Sequence, residues 1–398
     1  MITVNLSDQV KVLVVKFLYR FLNGILSVIR SLLFPKGLPE NPRRILIYRI
    51  GQIGDTICAI PAMIAIREYF PKAHITLLTS PVGRDMPGAK ELLQGADFLD
   101  EMIVYYHDEI ESWRGVMNLV KKLRRGRYDL FVELPNNLGT FRRFLRDILF
   151  AKAIGCSYAL GFRINTLCIF LKAQAKYLRF KGEVERLLDV LNDEGIPNSG
   201  VSFRLPIKPE DRKFVDRLFE EYGVKESELC IAINPGAKRP SNRWPKERFA
   251  EVGKALRERY GARIWITGGP ADVELAKWIA EKIGDSAIPV AGKTSLLQSA
   301  ELLRRCEFLV TNDTGTTHLA EAVGTPVVAI FSARDFPNKW YPYGENHIVI
   351  RKAVECEVCY KEECERLSCL KSISVEEVLE ACDKAIQGLA VCAASVAN

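Results

Sequence analysis

The sequence predicts an α/β protein of two doubly wound, Rossmann-like parallel-sheet domains, preceded by an amphipathic helix. Three observations carry this. Short apolar runs alternate with helical periodicity from residue 43 onward, the pattern of parallel strands covered on both faces. The alternation weakens across 155–205, then a second series of the same kind starts at Leu229. The 398 residues, at roughly 150 per domain, allow two or three domains. The expected divisions are 1–38 for the helix and linker, 39–205 for a first domain and 206–398 for a second. With 48% hydrophobic and 26% charged residues, the chain is neither a disordered tail, a collagen-like repeat nor a polytopic membrane protein.

The first element is residues 8–34, DQVKVLVVKFLYRFLNGILSVIRSLLF. Lys16, Arg20, Asn23, Ser27 and Ser31 recur every three or four residues and line one helical face. Val12, Val15, Leu18, Leu22, Ile25, Ile29 and Leu32–Leu33 line the opposite face. An amphipathic helix with cations on its polar side suits a membrane interface. A helix packed on the protein's own core would show the same pattern. A spanning helix would carry its charges into the bilayer at high cost. Phe34-Pro35-Lys36-Gly37-Leu38-Pro39 then breaks the helix as a linker.

The first series of strands is expected at Arg44–Ile50, Ala73–Thr79, Glu101–Tyr105 and Tyr128–Leu134. The second is expected at Leu229–Asn234, Arg263–Thr267, Phe308–Thr311 and Val327–Phe331. Ligands of such sheets sit at the carboxyl ends of the strands, and the informative motifs fall there. Gly51-Gln52-Ile53-Gly54-Asp55 joins the first strand to its helix. Gly51 and Gly54 permit a tight turn and close approach of a ligand, but G-x-G-x-x-G is absent, so a dinucleotide is not expected. Asp55 fits both an N-cap and a carboxylate offered to a substrate.

The second motif, Asn234-Pro235-Gly236-Ala237-Lys238-Arg239-Pro240-Ser241-Asn242-Arg243, places Lys238, Arg239 and Arg243 beside a glycine turn. Such a cluster suits a diphosphate, and equally a basic surface loop. Trp244-Pro245 looks structural, with Trp packed beneath a helix start. The third motif, Asn312-Asp313-Thr314-Gly315-Thr316-Thr317-His318, opens a helix whose free amides form an anion site, with hydroxyls and His318 as added donors. Glu274, one turn after Gly268-Gly269-Pro270, could hold ribose hydroxyls or complement a helix dipole.

The net charge of +7 is spread along the chain, with small clusters at Lys121–Arg125 and Lys238–Arg239. A nucleic-acid binder usually concentrates its charge, and an anionic small molecule or membrane surface explains this balance as well as nucleic acid does; nucleic acid is not among the expected partners. The chain opens without a small-residue cleavage site after its first apolar stretch, and its 11 cysteines are an odd number. Free thiols in a reducing cytoplasm are therefore expected. Cys356, Cys359, Cys364 and Cys369 follow C-x2-C-x4-C-x4-C, which leaves a structural zinc open.

Taken in order, RIGQIGDTICAIPAMIAIREYFP, NPGAKRPSNRWPKERFAEV, TGGPADVELA and AGKTSLLQSAELLRRCEFLVTNDTGTTHLAEAVGTPVVAIF resemble glycosyltransferase family 9 over about residues 43–385. That family contains the ADP-heptose:lipopolysaccharide heptosyltransferases. The resemblance implies a GT-B fold with its active site in a central cleft between the domains. It implies inverting transfer of a sugar, heptose from ADP-heptose, to a lipopolysaccharide core or related membrane glycolipid acceptor. It requires neither metal nor cofactor, and it places the enzyme in the cytoplasm, peripheral to the inner membrane.

By the same resemblance Asp55 is the general base. Asp313, Thr314, Gly315 and His318 hold the donor's diphosphate and sugar, and Glu274 is a further donor-binding carboxylate. The family usually has Lys two residues before Trp-Pro, where this chain has Asn242; Lys238, Arg239 or Arg243 must then supply that charge. The alternatives are a sugar-nucleotide epimerase of the same fold and a non-catalytic, membrane-associated nucleotide-sugar-binding protein.

Overall fold

A computed structural model describes residues 7–396 other than 82, 85, 86, 137, 138, 199 and 226, with side chains through Gly388. It divides into two compact units, 1–203 and 204–398. The first holds β1 (Arg44–Tyr48), β2 (His74–Thr79), β3 (Glu101–Val104), β4 (Leu130–Glu133) and β5 (Tyr158–Leu160). All pair in parallel in the order β3-β2-β1-β4-β5, with Tyr48 opposite both Leu78 and Glu133. The second holds β6 (Cys230–Asn234), β7 (Arg263–Ile266), β8 (Ala287–Pro289), β9 (Phe308–Asn312), β10 (Val327–Phe331) and β11 (Ile348–Arg351). Its order is β11-β10-β9-β6-β7-β8, again all parallel.

The central strands are buried on both faces, which is why RILIY, CIAIN and VVAIF read as continuous apolar runs rather than alternating ones. Sheet order reverses direction between β1 and β4 in the first unit and between β6 and β9 in the second. These are the switch points where open α/β sheets leave a crevice for ligands. The Gly51–Asp55 turn follows β1, the Asn234–Arg243 loop follows β6, and Asn312–His318 follows β9. All three motifs therefore sit where sheet topology makes room.

The strands β5, β8 and β11 were not foreseen. Two have only three residues, and β11 is half-buried at a sheet edge, so none presents a long apolar run. Trp244 is buried as expected, its indole N–H donating to the Ile373 carbonyl at 3.2 Å and its ring edge-on to Phe249. Pro245 caps the following Lys246–Tyr260 helix.

The N-terminal segment forms one helix, α1 (Asp8–Leu33), capped by Ser7. It packs on the first unit rather than standing apart from it. Val12, Val15 and Leu26 are buried, with Leu22, Ile29 and Leu33 packed against the core of that unit. Polar groups lock the contact. Asn23 donates to and accepts from the backbone of Ile164, at 3.0 and 2.8 Å, and the Tyr19 hydroxyl donates to Gln174 at 2.6 Å. Arg30 pairs with Glu194, and Lys152 donates to the Leu33 carbonyl at 2.7 Å. Apart from Leu32, which is exposed, the expected apolar face thus turns toward the protein itself, and Asn23, assigned to the polar face, is a docking residue.

Candidate active site

In the first unit the site is built on the turn between β1 and α2 (Ile53–Tyr69). Gln52 occupies the N-cap position, and Asp55 lies three residues on, its Oδ2 accepting the Gln52 amide at 3.0 Å. The N-cap reading of Asp55 is thus corrected: Asp55 stands at the third helical position, where its Oδ2 satisfies the Gln52 amide at the helix start. Gly51 is required at this turn because any Cβ there would lie 2.3 Å from the Asp55 Cβ. Gly54 occupies the first turn of α2.

Behind Asp55 is a buried cation the sequence reading passed over. Arg49, 1% exposed, donates through Nη2 and Nε to the Asp55 carbonyl at 2.8 and 3.2 Å. Its Nη1 donates to the Leu134 and Pro135 carbonyls that follow β4. Its Nη2 lies 3.7 Å from Asp55 Oδ1 and 3.2 Å from Glu183. Glu183, also 1% exposed, is held in addition by Arg186 at 2.7 Å. Burial pushes the Glu183 carboxyl up, but Arg186 and Arg49 outweigh it and hold it below its ordinary value. The triad ties the ends of β1 and β4 and the start of α2 to the Glu183–Asn192 helix, so Asp55 rests on a fixed base. The available signal was a single Arg between an apolar strand and a glycine turn.

In the second unit, Asn234 donates to the Thr316 hydroxyl at 2.8 Å, and Asn312 donates to the Pro235 carbonyl at 2.8 Å, joining the loops after β6 and β9. Thr317, fully buried, donates to the Asn312 carbonyl at 2.9 Å. Thr316 and Thr317 thus serve the fold through their hydroxyls, while Thr314 and the Gly315 and Thr316 amides form the start of the Gly315–Ala322 helix. His318 is buried, with Nδ1 2.8 Å from Glu321 Oε2. Glu321 also accepts the Tyr343 amide at 2.8 Å, so its carboxyl group is fixed beside the ring.

The Asn242 position is fully engaged. Its side chain donates to Asp313 Oδ2 at 3.0 Å and to the Asp313 carbonyl at 3.2 Å, and accepts from Ser332 at 2.7 Å. A neutral amide gives Asp313 no counter-charge. Burial, with the Asp335 carboxylate nearby, pushes Asp313 up to about 6, against the opposing pull of His318, Arg334 and Arg239. Arg239 pairs with Glu362 at 2.9 Å, and Arg334 pairs with the same carboxylate at 3.3 Å. Arg334, two residues after Ser332, is a cation of this site that the sequence motifs did not include. Lys238 and Arg243 are exposed, and Arg243 Nε donates to the Ala237 carbonyl at 2.7 Å, shaping its own loop.

Glu274 is 86% exposed and pairs with Lys277 at 3.0 Å. The carboxylate closest to the glycine turns is instead Asp272. A Cβ on Gly236 would lie 2.6 Å from it, and its Oδ2 accepts the Gly269 amide at 3.0 Å. Among the described residues no three His, Cys, Asp or Glu side chains gather to hold a metal ion. Cys356, Cys359, Cys364 and Cys369 are free thiols.

Asp313 carries a pH prediction. Its carboxyl is raised on folding, so the neutral form is the favoured one; the stability this lends is complete below the ordinary carboxylate pKa and is lost as pH rises through about 6. Asp313→Asn should therefore raise stability at pH 7.5 by roughly 1–2 kcal/mol after allowing for partial exposure, and with it the melting temperature, and change little at pH 4. Melting curves at both pH values check it; an equal effect at both would contradict it.

Two doubly wound parallel sheets, with a helix start rich in Gly and Thr after a strand of one and a carboxylate at a strand end of the other, define the GT-B class. The model of glycosyltransferase family 9 (heptosyltransferase) matches residues 116–369, and the chain belongs to that family. It is similar to the lipopolysaccharide core heptosyltransferase OpsX of Haemophilus influenzae, with 23% identity over 76% of this chain and 83% of that one. Among solved structures it is similar to a family 9 glycosyltransferase from Veillonella parvula, with a TM-score of 0.68 and 23% identity over 88% of this chain and 99% of that one. It is also similar to the E. coli ADP-heptose lipopolysaccharide heptosyltransferase II, with a TM-score of 0.62 and 22% identity over 87% and 99%. The protein is a glycosyltransferase, and the epimerase and non-catalytic alternatives are not favoured.

Proposed function

We propose that this enzyme transfers heptose from ADP-heptose to a lipopolysaccharide core acceptor, with inversion, at the cytoplasmic face of the inner membrane. The observation that carries the reading is the placement of Asp55 and the Asp313–His318 helix start at the switch points of the two sheets. The similarity to lipopolysaccharide heptosyltransferases supports heptose as the sugar and lipopolysaccharide as the acceptor.

Asp55 takes the proton of the acceptor hydroxyl as that oxygen attacks the anomeric carbon opposite the leaving diphosphate. Arg49 holds the backbone beneath Asp55, with Nη2 3.7 Å from Oδ1. The diphosphate gains charge as it leaves. The Gly315 and Thr316 amides, His318 and the cations of the β6 and β10 loops stabilise that charge without reorganising. With Asn242 neutral, Arg239 and Arg334 are the cations we assign to the diphosphate, Glu362 holding both guanidiniums until the donor displaces it.

Calorimetry with ADP tests this. Arg239→Ala and His318→Ala should each weaken ADP binding by roughly tenfold or more, since a charge-assisted bond contributes about 1.5–3 kcal/mol. Lys246→Ala should change little, because Lys246 Nζ lies over the Trp278 ring at 4.2 Å. Unchanged ADP affinity in both Arg239→Ala and His318→Ala would place the diphosphate elsewhere.

A further inference from the structure

α1 is long and apolar enough to cross a bilayer, yet its packing forbids that, since Tyr19, Asn23 and Arg30 bind the first unit along its length. The packed face accounts for only part of the helix's apolar surface. A second apolar stripe faces outward: Val10, Leu13, Phe17, Phe21, Val28 and Leu32, with Phe17 67% and Leu32 77% exposed. At 100° per residue these six fall within about 100° of arc and run for about 33 Å. Phe17 and Phe21 stack with ring centroids 6.1 Å apart. Isolated exposed apolar side chains are ordinary, but a continuous stripe of this length is not. Along one border run exposed Lys16, Arg20, Ser27 and Ser31.

We propose that α1 is an in-plane membrane anchor: its outward stripe lies in the interface of an anionic bilayer while its inward face holds the first unit rigidly beneath. The stripe enters the acyl boundary, and Lys16 and Arg20, on long flexible stems, reach the anionic headgroups beside it. Because the inward face is bonded to the unit carrying Asp55, the anchor fixes that unit's orientation to the bilayer, where a glycolipid acceptor resides. The inference rests on the glycolipid reading of the acceptor, and its test separates the two.

The full chain is sedimented with vesicles of phosphatidylcholine alone or mixed with phosphatidylglycerol. The wild type should bind the anionic vesicles. The variant carrying Leu13→Gln, Phe17→Gln, Phe21→Gln and Leu32→Gln should bind roughly tenfold or more weakly, since the buried apolar area is removed. Gln keeps helix propensity and all four positions are exposed, so its melting temperature should stay close to wild type. Lys16→Gln with Arg20→Gln should weaken binding several-fold only on anionic vesicles. All of these proteins should act equally on a water-soluble, deacylated acceptor. Failure of the wild type to bind, or equal binding by the four-residue variant, overturns the anchor while leaving the transferase reading intact. A dimeric wild type that becomes monomeric in that variant, with no vesicle binding, would make the stripe an interface between copies and also overturn it. Loss of transfer to the soluble acceptor by the wild type would instead strike at the reading of function.

Discussion

Asp55→Asn should lower sugar transfer by roughly 100- to 10,000-fold, the range removed with a general base, while leaving ADP affinity within about twofold. Asn is the informative replacement because its side-chain oxygen can still accept the Gln52 amide at the start of α2. The cap survives and the base does not. Asp55→Ala should lose both, with a further stability cost of about 1 kcal/mol. Turnover assays beside melting curves for the two variants separate the roles. Near wild-type turnover in Asp55→Asn would leave Asp55 as a cap alone.

Glu183→Gln should produce the largest loss of stability. The carboxylate sits between two buried guanidiniums, Arg49 and Arg186. Neutralising it takes the ion partner from Arg186 and leaves Arg49 with the more distant Asp55 carboxylate, at a cost of about 3–5 kcal/mol. For a unit of this size that is a fall in melting temperature of roughly 10 °C. Glu183 is held below its ordinary pKa on folding, so its contribution is complete above that ordinary value and is lost as pH falls through the lowered one. The difference between wild type and Glu183→Gln should therefore be constant from pH 6 to 8 and shrink below about pH 4. Because the same Arg49 anchors the Asp55 backbone, the variant should also turn over more slowly at temperatures where it is still folded. Calorimetric scans across pH decide the matter; a difference that does not shrink in acid would contradict the ion triad.

The layout of the sheets was legible because buried parallel strands must be apolar on both faces, and RILIY, CIAIN and VVAIF have no other reading beside their glycine turns. The motifs around Asp55 and Asp313 were legible for a related reason: strand ends bearing Gly, Asp and Thr serve a ligand as readily as a cap. What could not be read were partnerships across the sequence. Glu183 is 134 residues from Arg49, and Arg239 meets its carboxylate 123 residues away at Glu362. No local spacing encodes either pair. Glu274 was drawn from its place beside Gly268-Gly269, but the chain turns so that Asp272 faces those glycines and Glu274 faces solvent. The outward apolar stripe of α1 was left out of the single apolar face read from the sequence, for a simpler reason. A helical projection shows which residues are apolar, but not how wide a strip the rest of the protein will cover.

The most direct test of the account is ADP release from ADP-heptose, measured with and without a deacylated lipopolysaccharide core acceptor, with the product's anomeric configuration read by NMR. The account predicts acceptor-dependent ADP release, a product inverted at the anomeric carbon, and loss of both in Asp55→Asn. Release at equal rates without acceptor, or a product of retained configuration, would contradict it.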